Sequence, residues 1–158
     1  MAETPERPSK LITKNRKAWH EYHILETMEA GIMLVGTEVK SLRQGNVNMV
    51  DSYAAVKDGE VWLFNLHISP FEKGTHFNHE PLRPRKVLLH KREISRLIGK
   101  TQEKGLTLIP LRLFFNPRGK VKLELGLCKG KKLYDKRAAK AEQDARREME
   151  RAVKVGTR

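Results

Sequence analysis

The stretch Leu106–Cys128, LTLIPLRLFFNPRGKVKLELGLC, holds two apolar runs about Asn116-Pro117-Arg118-Gly119. Pro and Gly there supply turn geometry, so the segment reads as strand, turn, strand. In the second run Val121, Leu123, Leu125 and Leu127 alternate with Lys120, Lys122 and Glu124. One face should be buried and the other wet. In the first run Leu106 and Leu108 sit on even positions, but Leu111, Leu113 and Phe115 sit on odd ones. The phase slips at Pro110, where a ladder loses a donor, and this predicts a bulge or bend. Bends of this kind let a small sheet curl and close.

Outward from this hairpin the pattern repeats. DSYAAVKDGEVWLF (51–64) places Asp58-Gly59 between two strand-like runs, and both residues tolerate the positive φ of a tight hairpin. WHEYHILETMEAGIMLVG (19–36) reads as two apolar runs around a turn near Glu29-Ala30-Gly31. Two short helices interrupt the strands. TEVKSLRQG (37–45) offers Thr37 as N-cap, Val39 and Leu42 as an inward pair, and Gly45 as stop. HKREISRLIGKTQEKG (90–105) places Ile94, Leu97 and Ile98 at helical spacing and ends at Gly105. The expected fold is mainly β: a small closed antiparallel barrel, OB-like, with two or three short helices. Residues 1–13 are expected as a disordered leader, 14–128 as the barrel, and 129–158 as a basic C-terminal tail.

Charge points to a polyanion. The 158 residues carry 32 Lys and Arg against 19 acidic side chains, net +13, which favours nucleic acid over a membrane surface. The excess is uneven: residues 129–158 hold 11 basic and 5 acidic side chains, against 21 and 14 in residues 1–128. The acidic, proline-bearing start has no apolar core for a signal peptide. The longest apolar run, IMLV, falls far short of the ~20 residues of a membrane helix, so the expected location is the cytoplasm. A single Cys128 excludes an internal disulfide and reads as a small buried hydrophobe at a strand end.

Basic residues cluster in three places. KNRKAWHEY groups Lys14, Arg16 and Lys17 beside Trp19 and His20; EVKSLR offers Lys40 and Arg43 on one helix face; PLRPRK sets Arg83, Arg85 and Lys86 before a strand. Three such groups on a small barrel suggest a phosphate-tracking surface with an aromatic to stack on a base. His20 and His23 would lie on opposite faces of one strand. His76, His79 and Glu80 share a loop but bring no Cys/His framework. No catalytic set, metal site or cofactor is expected, and the alternatives are a generic OB-type RNA-binding or ribosome-associated protein and a metal-dependent RNA-processing enzyme at His76, His79 and Glu80.

NRKAWHEYHI (15–24), EAGIMLVGTEVKSLRQGNVNMVDSY (29–53), NHEPLRPRKVLLHKREI (78–94) and GKKLYDKR (130–137), in this order and spacing, closely resemble the SsrA-binding protein (small protein B) family. The resemblance implies an oligonucleotide-binding barrel that binds the tRNA-like domain of transfer-messenger RNA and brings it to stalled ribosomes. There the RNA, alanine-charged and carried by elongation factor Tu, accepts the nascent peptide and encodes its tag. By motif, the RNA-facing residues would be Asn15, Arg16, Lys17, Trp19, His20, Glu29, Lys40, Ser41, Arg43, Arg83, Arg85, Lys86 and Leu88. Leu88 also reads plainly as a core strand leucine. A ribosome-facing tail would start with Lys129, Gly130, Lys131, Lys132, Tyr134, Asp135, Lys136 and Arg137, disordered when free and helical in the empty mRNA channel of the small-subunit decoding region. Asp135 would cap a helix from about Lys136 to Val153, with Ala141, Ala145, Met149 and Ala152 as a thin apolar stripe too small to drive folding in water. The protein is expected as a monomer. Two positions depart from the family pattern: Val87 opens a run that is usually all leucine, and Cys128 stands where alanine is common.

Overall fold

The computed structural model describes residues 9–73, 77–102, 105–131 and 133–156. In chain order the elements are β1 (Lys10–Lys14), α1 (Arg16–Glu21), β2 (Tyr22–Ile32), α2 (Gly36–Arg43), β3 (Val47–Asn48), β4 (Tyr53–Lys57) and β5 (Glu60–Phe64). There follow β6 (His67–Ile68), β7 (Arg85–Leu88), α3 (Lys91–Thr101), β8 (Leu106–Phe115), β9 (Val121–Gly130) and α4 (Leu133–Gly156). Seven strands form one sheet in the order β1-β8-β4-β5-β7-β2-β9, and β8 also pairs β9, which closes a ring; β3 and β6 pair separately. The fold is mainly β and OB-like as expected, though the ring is uneven. β2–β9 and β8–β9 pair along their lengths. β2–β7 and β4–β8 meet through Gly31 opposite Leu88 with Ile32 opposite Val87, and through Ala54 opposite Leu108.

The hairpin at 106–128 folds as read, about the Asn116–Gly119 turn, with the register slip between Pro110 and Arg112. Leu108, Leu113, Leu123, Leu125 and Leu127 join the main core with Ala30, Leu42, Val61, Leu63, Val87 and Leu97. Leu111 does not share the face of Leu113. It packs in a second cluster with Ala18, Ile109 and Cys128, because the bulge turns it out beneath α1. Residues 125–128 of β9 are consequently buried on both faces, so the expected wet face is interrupted after Glu124 and the strand surfaces again at Lys129. Cys128 is fully buried there, as its plain reading had it. Gly126 lets the two clusters meet, since a Cβ at that position would lie 2.8 Å from Leu111 Cδ1.

Several readings need correction. The expected turn at Glu29–Gly31 is absent: β2 runs unbroken from Tyr22 to Ile32, because β9 pairs it over almost its whole length. Residues 10–13 are not leader but belong to β1, which pairs the second half of β8; Leu11 and Ile12 provide the strand pattern that charge counting overlooked. His20 lies on α1 and His23 on β2, not on one strand. The N-cap of α2 is Val35 rather than Thr37, with the Glu38 carboxylate accepting from the Val35 N–H at 2.9 Å. Asp58 and Gly59 do take positive φ, 51° and 75°, in the hairpin between β4 and β5. In α3, Leu97 is fully buried and Ile98 is partly exposed.

Helix α4 begins at Leu133, so Asp135 lies inside its first turn rather than capping it. It is helical in the chain alone, and each of its described side chains is exposed. No helix among the described residues is long and apolar enough to cross a membrane.

Candidate nucleic-acid interface

Several residues expected at an RNA surface instead build its support. Asn15 is 6% exposed. Its Oδ1 accepts from the Ala18 N–H at 3.2 Å, capping α1, while its Nδ2 donates to the Pro110 carbonyl at 3.0 Å. One side chain thus ties the start of α1 to the bulge in β8. Ser41 is buried and donates to the Ser69 carbonyl at 2.6 Å. Arg85 is fully buried; its Nε donates to Glu38, and its terminal nitrogens donate to the carbonyls of Leu66 at 2.6 Å and Pro81 at 3.1 Å. With each nitrogen engaged inside the protein and none of the side chain exposed, Arg85 has no access to phosphate.

Glu38, which the motif reading missed, organises this region. It is buried at the first turn of α2 and takes hydrogen bonds from Arg83 as well as from Arg85 and Val35. Burial raises its carboxyl pKa, but the bonds from Arg83, Val35 and Arg85 outweigh this and hold it below the ordinary value. Glu38 followed by basic residues at 40 and 43 looks in sequence like a surface helix pair. Only the approach of β7 shows that it is a buried counter-ion.

The exposed residues fall into two groups at opposite ends of β2. At one end Glu29, exposed on β2, shares a cleft of about 500 Å³ with Leu88, Lys122 and His90. Leu88 is 47% exposed, so the core reading fails for it and the surface reading stands. Beside this cleft, Lys40 and Arg83 line a second one with Thr37 and Phe77. Arg43, one turn along α2, faces a different hollow beside Leu11 and Phe115. Lys86 is half-buried and pairs with Glu60 at 3.0 Å.

At the other end, about 30 Å away along the strand, Arg16, Trp19 and His20 stand exposed on α1. With Lys131, Lys140 and Arg146 they line a cleft of about 420 Å³ between α1 and α4. Lys14 lies over the Trp19 ring at 5.5 Å. Lys17 is committed to Asp51 at 3.0 Å. Lys129 and Gly130 end β9 opposite His23 and Tyr22, and the Lys131 N–H donates to the Glu21 carbonyl at 2.9 Å, so the root of the tail is fixed to the end of α1. Tyr134, Asp135, Lys136 and Arg137 lie in the first turns of α4; Lys132 is outside the described residues.

The metal-centred alternative finds little to stand on. His76 lies outside the described residues. Both ring nitrogens of buried His79 are engaged, Nδ1 with the Thr37 hydroxyl at 2.9 Å and Nε2 with the Ile68 carbonyl at 2.8 Å. A carbonyl only accepts, so Nε2 carries a proton and is no metal ligand. No group of three His, Cys, Asp or Glu with metal-binding geometry occurs among the described residues.

The chain is similar to known proteins over most of its length. The family model described as SmpB protein matches residues 12–155. The SsrA-binding protein of Carboxydothermus hydrogenoformans is 63% identical over 146 residues, 92% of this chain and 97% of that protein. That of Desulforamulus reducens is 60% identical over 151 residues, 96% and 94% of the two chains. Among solved structures, a chain from the work "tmRNA-SmpB: a journey to the center of the bacterial ribosome" aligns with a TM-score of 0.67 at 53% identity, covering 84% of this chain and 94% of that one. On match length and identity alike, the chain belongs to the SmpB protein family.

Proposed function

We infer that this protein binds transfer-messenger RNA and acts with it on the ribosome in trans-translation. The observation that carries the reading is the cleft at the end of β2, where an exposed carboxylate and an exposed strand leucine, Glu29 and Leu88, sit beside Lys122. Leu88 packs by one side against Gly31 and leaves nearly half of its apolar surface open to a partner. A carboxylate facing a polyanion contributes identity rather than affinity, by accepting from base or 2′-OH donors. Lys40 and Arg83 flank the cleft and supply phosphate contacts. This end of the barrel takes the tRNA-like domain; Arg16, Trp19 and His20 share their cleft with the tail and serve the ribosomal end.

The tail carries roughly six net positive charges, and phosphate contacts made in an RNA-walled channel release counterions. We assign it to the small-subunit decoding region when no mRNA fills the channel. The protein acts as a monomer in the cytoplasm, by binding rather than by chemistry of its own. It meets elongation factor Tu only through the alanyl-RNA that both hold.

The test separates the two ends. Ending the chain at Lys131 keeps the β9 ladder and its bond to Glu21. That variant should bind transfer-messenger RNA as the full chain does, yet fail to support peptide tagging on stalled ribosomes. Leu88→Ala should instead weaken binding of the RNA itself about tenfold, as the loss of roughly 1.5 kcal/mol of apolar burial would, and lower tagging only through that. Equal affinity of the full chain for ordinary tRNA would favour a generic RNA binder.

A further inference from the structure

We propose that Phe77 is a stacking platform for an unpaired base of the bound RNA, a contact beyond the residues that motif matching assigns. The proposal rests on the RNA-binding reading above. Phe77 is 91% exposed, the most open of the large exposed apolar side chains among the described residues. Its neighbours hold it there. Asn78 is tied to Phe71 in both directions, accepting from the Phe71 N–H at 3.1 Å and donating to the Phe71 carbonyl at 2.8 Å. His79 is buried and fixed between Thr37 and Ile68. An aromatic ring next to two such anchors is presented to solvent by a braced backbone.

The surroundings select the occupant. Phe77 lines one cleft of about 700 Å³ with Lys40, Arg83 and Thr37. Lys40 is steadied over the Phe71 ring, its ammonium 5.5 Å from the centroid. Arg83 keeps a buried Nε without a partner among the described residues. Glu80 also borders the cleft, and Arg83 shares the Glu38 carboxylate with Arg85, so the basic side chains outnumber the acidic one on the cleft by one. An exposed π-face sharing a cleft with two basic side chains suits a nucleotide, with the base on the ring and the flanking phosphates towards Lys40 and Arg83. A purely apolar protein partner would leave both charges desolvated. Val35 borders this cleft and Gly31 borders that of Glu29, four residues apart on one chain segment, so a single RNA strand reaches both.

The experiment measures affinity of the full-length protein for transfer-messenger RNA across a salt series, for the wild type and for Phe77→Ala, Phe77→Leu, Phe77→Trp and Lys40→Ala. Phe77→Ala and Phe77→Leu should each weaken binding about 5- to 100-fold, the range for loss of one stacked base. Phe77→Trp should stay within about twofold of wild type. The salt slope should be unchanged in all three and shallower by about one in Lys40→Ala. All variants should melt as wild type does, since the ring buries almost nothing in the free protein. Wild-type affinity in Phe77→Ala overturns the proposal. So does wild-type affinity in Phe77→Leu, which would mean apolar docking rather than stacking. A wild-type protein that does not prefer transfer-messenger RNA to tRNA overturns the functional reading itself, and the proposal with it.

Discussion

Glu29 stands directly across the β2–β9 ladder from Glu124. Like charges opposite one another destabilise a sheet by a few tenths to about 1 kcal/mol. Arg112 takes up Glu124, its Nε 2.8 Å from Oε2, and leaves Glu29 without an ion pair among the described residues. Folding alone would not choose this residue, so Glu29→Gln should leave stability unchanged or slightly higher while cutting the preference for transfer-messenger RNA over ordinary tRNA about tenfold. A chemical melt and a gel shift on the same preparation check both halves. Glu38 is the opposite case. Its folded pKa lies below the free-chain value of 4.5, so its contribution is present above that value and lost as pH falls through the lower folded one. Glu38→Ala leaves Arg85 buried and unpaired, which should cost about 3–5 kcal/mol at pH 7. The loss relative to wild type should shrink in melts taken at progressively more acid pH.

Among the elements, β8 and β9 show what a sequence discloses and what it hides. The phase slip at Pro110 announced the bulge, because alternation is a property of one strand. That Leu111 turns out beneath α1 could not be read, because the slip does not say which side acquires a second layer. α1 itself was hidden within a strand reading: at six residues it carries little periodicity, and its cap, Asn15, looked like an RNA contact. Asn15, Ser41 and Arg85 share this history. A motif marks residues that a site requires, and it does not separate those that touch the ligand from those that position what does. Two expectations follow from the α1 layer. Gly126→Ala forces a methyl against Leu111 and Cys128 and should cost about 1–3 kcal/mol in a denaturant melt. Burial pushes the Cys128 thiol from 9.0 up to about 11. Its contribution is therefore complete below pH 9 and lost as pH rises towards 11; Cys128→Ala should flatten that alkaline decline, and a maleimide should label native protein far more slowly than unfolded protein.

At the scale of the whole molecule, the ring divides at its thin junctions. The strands β4, β5 and β7 form one arc, and β1, β8, β9 and β2 form the other; they meet through the short β4–β8 and β2–β7 pairings. The Glu38–Arg83–Arg85 cluster reaches across the second junction from α2, and Glu29 and Leu88 face each other across it from the two arcs. A ligand gripping both sides binds only the closed ring, so RNA held at the proposed site would act as a conditional cross-link. At 100 times its Kd such a ligand adds about 2.7 kcal/mol to the closed form. Amide exchange should then slow at Gly31–Met33 and at Ala54 together, although Ala54 is buried away from the proposed site, while the β8–β9 ladder exchanges as before. Loss of RNA would undo the clasp, leaving the free protein a looser body than the one that reaches the ribosome.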